Sequence, residues 1–200
     1  MRLYLCSYRL SGDTSALLRL VGDGRRAGIV LNASDAFGDH LYLWPRESAD
    51  LQALGFDVAE VDLRDHFGDP GGLRERLAAL DLLWVTGGNT FVLARAMNAC
   101  GFVDAFDRDR TTYAGYSAGV CVLAPDLDGI HLMDDPDVVP ERYPADVRPQ
   151  PLGWLPWRVV PHWRSDHAET DAADLAVAHL SRAGLPFRTL RDGEAIVVEG

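Results

Sequence analysis

Thr112-Tyr113-Ala114-Gly115-Tyr116-Ser117-Ala118-Gly119 is an apolar run that closes on a Gly-x-Ser-x-Gly pentapeptide. Thr112 to Gly115 reads as a buried strand, and the pentapeptide as the sharp turn that carries it into a helix. In such an elbow the serine is forced into a strained backbone conformation above the end of the sheet, and the glycines leave room for the neighbouring strand and helix. The rest of the chain repeats the strand-to-helix pattern. Leu3 to Ser7, Gly28 to Ala33, Val58 to Val61, Leu82 to Thr86 and Val159 to Pro161 read as further strands. Ser15 to Val21, Ser48 to Leu54, Gly72 to Leu80, Thr90 to Cys100 and Asp166 to Ala183 read as helices. This alternation predicts an α/β fold with a doubly wound, mostly parallel sheet and helices on both faces. Phe187 to Leu190 and Ala195 to Glu199, separated by four turn-forming residues, predict a C-terminal antiparallel hairpin. With 200 residues, the chain is expected to form one domain, residues 1 to 200.

In an open α/β sheet, ligands bind beyond the carboxyl ends of the strands, and Asn32, Thr86, Ser117 and His162 all fall at or just past such ends. Ser117 is therefore the candidate nucleophile. A serine hydroxyl is protonated at neutral pH, so it needs a base in reach and a third group to hold that base in the right tautomer. Six histidines are available: His40, His66, His131, His162, His167 and His179. His162 is singled out because it ends the apolar run Arg158-Val159-Val160-Pro161. His167 is a substrate-side group, His179 faces along a helix, and His40 and His66 stand in polar loops. The orienting acid stays open among Asp126, Asp128, Asp134, Asp135, Asp137 and Glu141, a cluster that also reads as a solvated acidic loop.

Leu82-Leu83-Trp84-Val85-Thr86-Gly87-Gly88-Asn89-Thr90-Phe91 is an apolar strand that breaks at two glycines and restarts as a helix. Glycines let the main chain approach a ligand, so the Gly88 N–H and the Ala118 N–H are the candidate oxyanion donors, worth about 3 kcal/mol each. A phosphate loop would need a Lys-Ser/Thr after the glycines or a Gly-x-Gly-x-x-Gly, and neither is present. Asn89 and Thr90 are candidate substrate-binding residues, although Asn89 equally suits a helix cap. Glu169 is a candidate receiver of a peptide's free amino terminus. Asp134 to Pro151, with several prolines and many charges, is the longest irregular stretch and is placed to act as a lid.

These motifs together resemble the peptidase E family of serine dipeptidases, to which cyanophycinase is related. They stand as Gly87 to Phe91, Gly115 to Gly119, Pro161-His162-Trp163 and Glu169-Thr170, and the resemblance extends from the first strand to about Gly193. It implies an α/β fold, hydrolysis of dipeptides with N-terminal aspartate, a serine nucleophile matching Ser117, a histidine base matching His162, and an acid in the intervening loop. The family's Asp-x-Pro element looks like Asp134-Asp135-Pro136, which implies Asp134 as the third member. Family members that prefer aspartyl substrates carry a basic residue after the Glu-Thr pair, whereas this chain has Asp171. Arg164, Arg142 or Arg148 are the candidate replacements, with Arg164 nearest to His162 in sequence. The expected activity is thus a serine peptidase acting on short peptides. The alternatives are an α/β-hydrolase-type esterase, which shares the elbow and the order of triad residues, and an inactive relative that binds a small ligand.

Composition narrows the rest. A net charge of −11 with no basic stripe argues against nucleic acid and against anionic membranes as partners. Cys6, Cys100 and Cys121 cannot pair completely and show no metal spacing, which suits a reducing cytoplasm; Cys121 reads as a small helix hydrophobe. No metal or organic cofactor is implied. A small peptide substrate is the expected partner, and a monomer or homodimer the expected state. No apolar run approaches the length of a membrane span, and Met1 to Cys6 is too short for a signal peptide.

Overall fold

A computed structural model describes all 200 residues. The strands are β1 (Arg2–Cys6), β2 (Arg26–Val30), β3 (Asp57–Glu60), β4 (Leu82–Val85), β5 (Thr112–Tyr116), β6 (Arg158–Val160), β7 (Phe187–Thr189) and β8 (Ala195–Glu199). The helices are α1 (Ser15–Val21), α2 (Trp44–Ala53), α3 (Pro70–Ala78), α4 (Thr90–Ala99), α5 (Phe102–Ala105), α6 (Ala118–Cys121) and α7 (Thr170–Ala183). Six strands form one sheet in the order β3-β2-β4-β5-β1-β8. The first five are mutually parallel, and β8 runs antiparallel to β1.

Alternation along each strand builds the two layers around this sheet. Leu3, Leu5, Leu83, Val85 and Tyr113 point to one face, where they pack with Leu73 and Leu77 of α3 and with much of α4. Tyr4, Cys6, Leu82, Trp84 and Ala114 point to the other, against Leu17 and Leu20 of α1 and Leu51 of α2. All four residues of β4 are buried, as a central parallel strand covered on both faces requires. No helix is long and apolar enough to cross a membrane.

The C-terminal hairpin does not form. β8 is antiparallel as expected, but its partner is β1, while β7 pairs in parallel with β6 in a separate two-stranded sheet. The edge of β1 is the better partner: five registered pairs form there, and Ile196 and Val198 gain contact with the larger core. The strand before His162 therefore stands outside the main sheet, on which the sequence reading had placed it.

Element boundaries also move. Helix α7 begins at Thr170 rather than Asp166, because His162 and Arg164 adopt positive φ (59° and 51°) and Thr170 Oγ1 donates to the carbonyls of His162 and Ser165, winding residues 161 to 169 into turns. Helix α2 starts four residues earlier than expected, with Pro45 in its first turn, where a missing N–H costs nothing.

Candidate active site

The chain leaves β5 through Ser117 with φ 50° and ψ −117°, the strained turn that the pentapeptide predicts. Val85 explains its glycines. A Cβ on Gly115 would lie 2.6 Å from the Val85 carbonyl oxygen, and one on Gly119 only 2.3 Å from it. The Ser117 N–H donates to the Ser7 carbonyl at 3.1 Å, which ties the elbow to the end of β1. Ser117 opens into a cavity of about 210 Å³ that also takes its walls from Tyr8, Ser34, Phe37, Gly87, Gly88, Tyr116, His162, His167 and Glu169. Residues following β1, β2, β4 and β5 thus meet at one place, the carboxyl edge of the sheet.

His162 is 1% exposed and is held from three directions. Its Nδ1 is hydrogen-bonded to Asp192 Oδ1 at 2.9 Å, its backbone N–H donates to Ser7 Oγ at 2.7 Å, and its ring stacks on His167 at 3.8 Å. Ser7 Oγ in turn donates to Asp192 Oδ1 at 2.7 Å, and the Asp192 N–H donates to Ser165 Oγ. The Nδ1 contact to a carboxylate puts the proton on Nδ1 and leaves Nε2 as the acceptor, the tautomer a general base requires. Glu169 Oε2 lies 3.8 Å from that Nε2. Burial lowers the His162 pKa and His167 lowers it further, against the pull of Asp192, so the ring is neutral at pH 7. Burial, with the Asp192 charge added, raises the Glu169 carboxyl. Ser117 and His162 face the same cavity without a direct side-chain hydrogen bond between them, as is common before substrate tightens a site.

Gly88 has φ 140°, and a Cβ there would fall 2.4 Å from the backbone of Ala33. Neither the Gly88 N–H nor the Ala118 N–H is engaged by another backbone group. Both are thus free to donate to an oxyanion.

Several expected residues stand elsewhere. Asp134 does not reach His162; its Oδ2 accepts the Thr90 N–H at 2.8 Å at the start of α4. Burial, only partly offset by the Thr90 hydrogen bonds, pushes its carboxyl up to about 6. The carboxylate on His162 is Asp192, in the Arg191-Asp192-Gly193 turn after β7, and the correction follows from the β6–β7 pairing, which sets the two strand ends side by side. Asn89 is a helix cap, accepting from the N–H groups of Phe91 and Val92 and donating to the Asp135 carbonyl, and neither it nor Thr90 lines the cavity. Arg164 lies over the Trp163 ring at 4.3 Å instead of entering the cavity, and Arg142 lines a different one. Residues 134 to 151 form no lid: none lines the cavity, and Tyr143 is tied to Asp35 while Arg95 holds the carbonyls of Ala145 and Val147. Reading the sequence also missed Ser7, Tyr8 and Arg46; Ser7 and Tyr8, directly after a strand end, carried the same positional signal as Ser117.

Two groups of side chains have metal-like spacing. His162, His167 and Asp192 offer ligand atoms within 4.8 Å of one another, but Asp192 is already committed to His162 and Ser7. His40, Glu60 and Asp62 form the second group, where the Arg64 guanidinium already supplies the positive charge, 2.7 Å from Asp62 and 3.1 Å from Asp35. That buried network anchors the turn Asn32–Phe37, which brings Ser34 and Phe37 to the cavity.

The sequence model of peptidase family S51 matches residues 15–200. A peptidase E of Streptomyces coelicolor is 30% identical over 173 residues, covering 82% of this chain and 65% of that protein, so the chain spans just under two thirds of that relative's length. An uncharacterized peptidase of Pasteurella multocida is 27% identical over 160 residues, 78% of this chain and 73% of its own. Among solved structures, a candidate peptidase E protein from Listeria monocytogenes superposes with a TM-score of 0.79 at 20% identity, over 100% of this chain and 94% of that one. A peptidase from an acI-B1 actinobacterium gives 0.71 at 15% identity, over 99% and 83%. At these identities the two structures speak for the α/β fold alone.

Proposed function

The chain belongs to peptidase family S51, and from that premise we propose that it hydrolyses short peptides, chiefly dipeptides, through an acyl-enzyme on Ser117. The observation that carries this reading is the strained Ser117 opening into the same cavity as a buried His162 whose Nδ1 is held by Asp192.

In this reading His162 Nε2 takes the proton of Ser117 Oγ as the oxygen attacks the peptide carbonyl carbon. The carbonyl oxygen becomes an oxyanion between the Gly88 and Ala118 N–H groups. His162 then returns the proton to the leaving nitrogen, the C–N bond breaks, and the acyl group stays on Ser117. Water, deprotonated by the same Nε2, attacks the ester and releases the acid with Ser117 restored. Asp192 holds the Nδ1–H throughout and stabilises the imidazolium. Glu169, beside Nε2, receives the free amino group, and the limited cavity favours a dipeptide over a long chain.

The test is turnover of Asp-, Glu-, Lys- and Leu-initiated dipeptides and aminoacyl amides by the wild type and by Ser117→Ala. Turnover that falls by about 10⁴-fold or more in the variant is the expected result. Ester turnover without peptide turnover identifies an esterase, and tight binding with no Ser117-dependent chemistry identifies a binding protein.

A further inference from the structure

Asp171 stands where the resemblance would put a substrate-binding cation, and Arg164 points away from the cavity. The chain contains no lysine, so its arginines are the permanently charged side chains that can meet a substrate carboxylate. One arginine lines the cavity: Arg46, from the first turn of α2.

Its guanidinium is held along one edge only. Nε and Nη2 both donate to Glu47 Oε1, at 3.0 and 2.6 Å, and Nη2 also donates to the Tyr116 hydroxyl at 3.1 Å. Glu47 is itself 1% exposed and fixed from below: Tyr116 OH donates to Oε1 at 2.9 Å and Trp84 Nε1 to Oε2 at 2.9 Å. The other end of the fork, Nη1, has a single long contact, 3.5 Å to the Tyr8 hydroxyl. A partly exposed cation is thus locked in place by a buried carboxylate and two core side chains, with one donor nitrogen left for a ligand. Pre-organised geometry of this kind suits a charge-assisted hydrogen bond from that nitrogen to a carboxylate.

The cavity is also polar in a defined direction. Tyr8 stands in its wall with its ring near Tyr116 (5.9 Å) on one side and near His162 (6.0 Å) and His167 (5.2 Å) on the other. Arg46 is bonded to the Tyr116 side and Glu169 lies beside His162. Ser117 lines the same cavity as both. A short peptide that rests its ammonium group on Glu169 and its carbonyl at Ser117 shares this cavity with one arginine, Arg46.

We propose that Arg46 is the specificity-determining cation of this cavity, receiving on Nη1 a carboxylate that lies close to the scissile bond of a short peptide. The proposal rests on the peptidase reading for its substrate class. The carboxylate has two sources, the side chain of an acidic first residue or the C-terminus of a dipeptide, and the experiment separates them.

Removing Arg46 alone strands the buried Glu47 charge, so the working variant is Arg46→Met with Glu47→Gln, checked for an intact fold by its circular dichroism. Binding of Asp-Leu, Asn-Leu and Asp-Leu amide is measured by calorimetry in a Ser117→Ala background, with and without the double change. Asp-Leu is expected to bind about 30-fold more weakly when Arg46 is lost. If Asn-Leu shows a change under about threefold while the amide follows Asp-Leu, the side-chain carboxylate is the ligand; the reverse identifies the C-terminus. An equal loss for all three peptides, no loss for any, or no binding of any to the parent overturns the proposal. Because this readout needs no catalysis, turnover of the same peptides by the wild type tests the peptidase reading separately.

Discussion

Two half-buried carboxylates near Glu169 separate what orients from what holds. Asp192 sits on Nδ1 of His162, whereas Asp134 sits on the first backbone N–H of α4. Asp192→Asn keeps the shape but presents an amide that can favour the wrong tautomer, so peptide turnover should fall about 10³- to 10⁴-fold with little change in the melting midpoint. Asp134→Asn should do the opposite. The folded-state carboxyl of Asp134 titrates at about 6, above its ordinary 3.8. The stability it lends is therefore present below about pH 4 and lost as pH rises through about 6. The asparagine variant cannot ionise, so between pH 4 and pH 7 it should gain up to about 3 kcal/mol on the wild type in denaturant titrations, at near-normal turnover. A flat difference across that range would show that the Asp134 carboxyl is not raised in the fold. Ser117 was legible in the sequence because its glycines are a local requirement of one strand-to-helix turn. Asp192 was not, because Asp-Gly after a strand reads as a turn, and what makes this one different is a strand pairing between residues some thirty positions apart.

At the scale of the element, the turn between β4 and α4 is the most constrained piece of backbone beside the cavity. Gly88 combines a positive φ with a close approach to Ala33, whose carbonyl accepts the Asn89 N–H at 2.8 Å. Gly88→Ala meets backbone rather than a flexible side chain, so the turn or Ala33 must shift. We expect a loss of about 3 kcal/mol in stability, and a fall in kcat at least as large as for loss of one oxyanion donor, about 10²-fold. Stability measured by urea unfolding, beside kcat on a dipeptide, checks both. An alanine variant of wild-type stability would mean that the turn is looser than its contacts imply. Most helices and parallel strands were readable from apolar periodicity. The partners of β6, β7 and β8 were not, since β6 and β7, three residues each, carry no period and β8 had the open edge of β1 to choose over β7.

Across the whole molecule, β8 closes the β1 edge, and the amino group of Met1 meets the Gly200 carbonyl there. Deleting residues 195 to 200 would expose five residues of β1 backbone and uncover Ile196's and Val198's share of the core. A loss of about 3 kcal/mol, or roughly 10 °C in Tm, is expected, together with association through the bare edge that light scattering would detect. A monomeric deletion variant with unchanged Tm would show that β8 contributes only length. The same closure has a consequence in time. Ser7 directly follows β1, yet its hydroxyl bridges His162 and Asp192, 155 and 185 positions further along the chain. During synthesis the serine elbow is made well before His162 and Asp192, and throughout that interval it has no oriented imidazole. Maturation of the site is thereby deferred until Asp192 meets Ser7 and His162, so a chain cut short before Asp192 carries the elbow without the means to activate it.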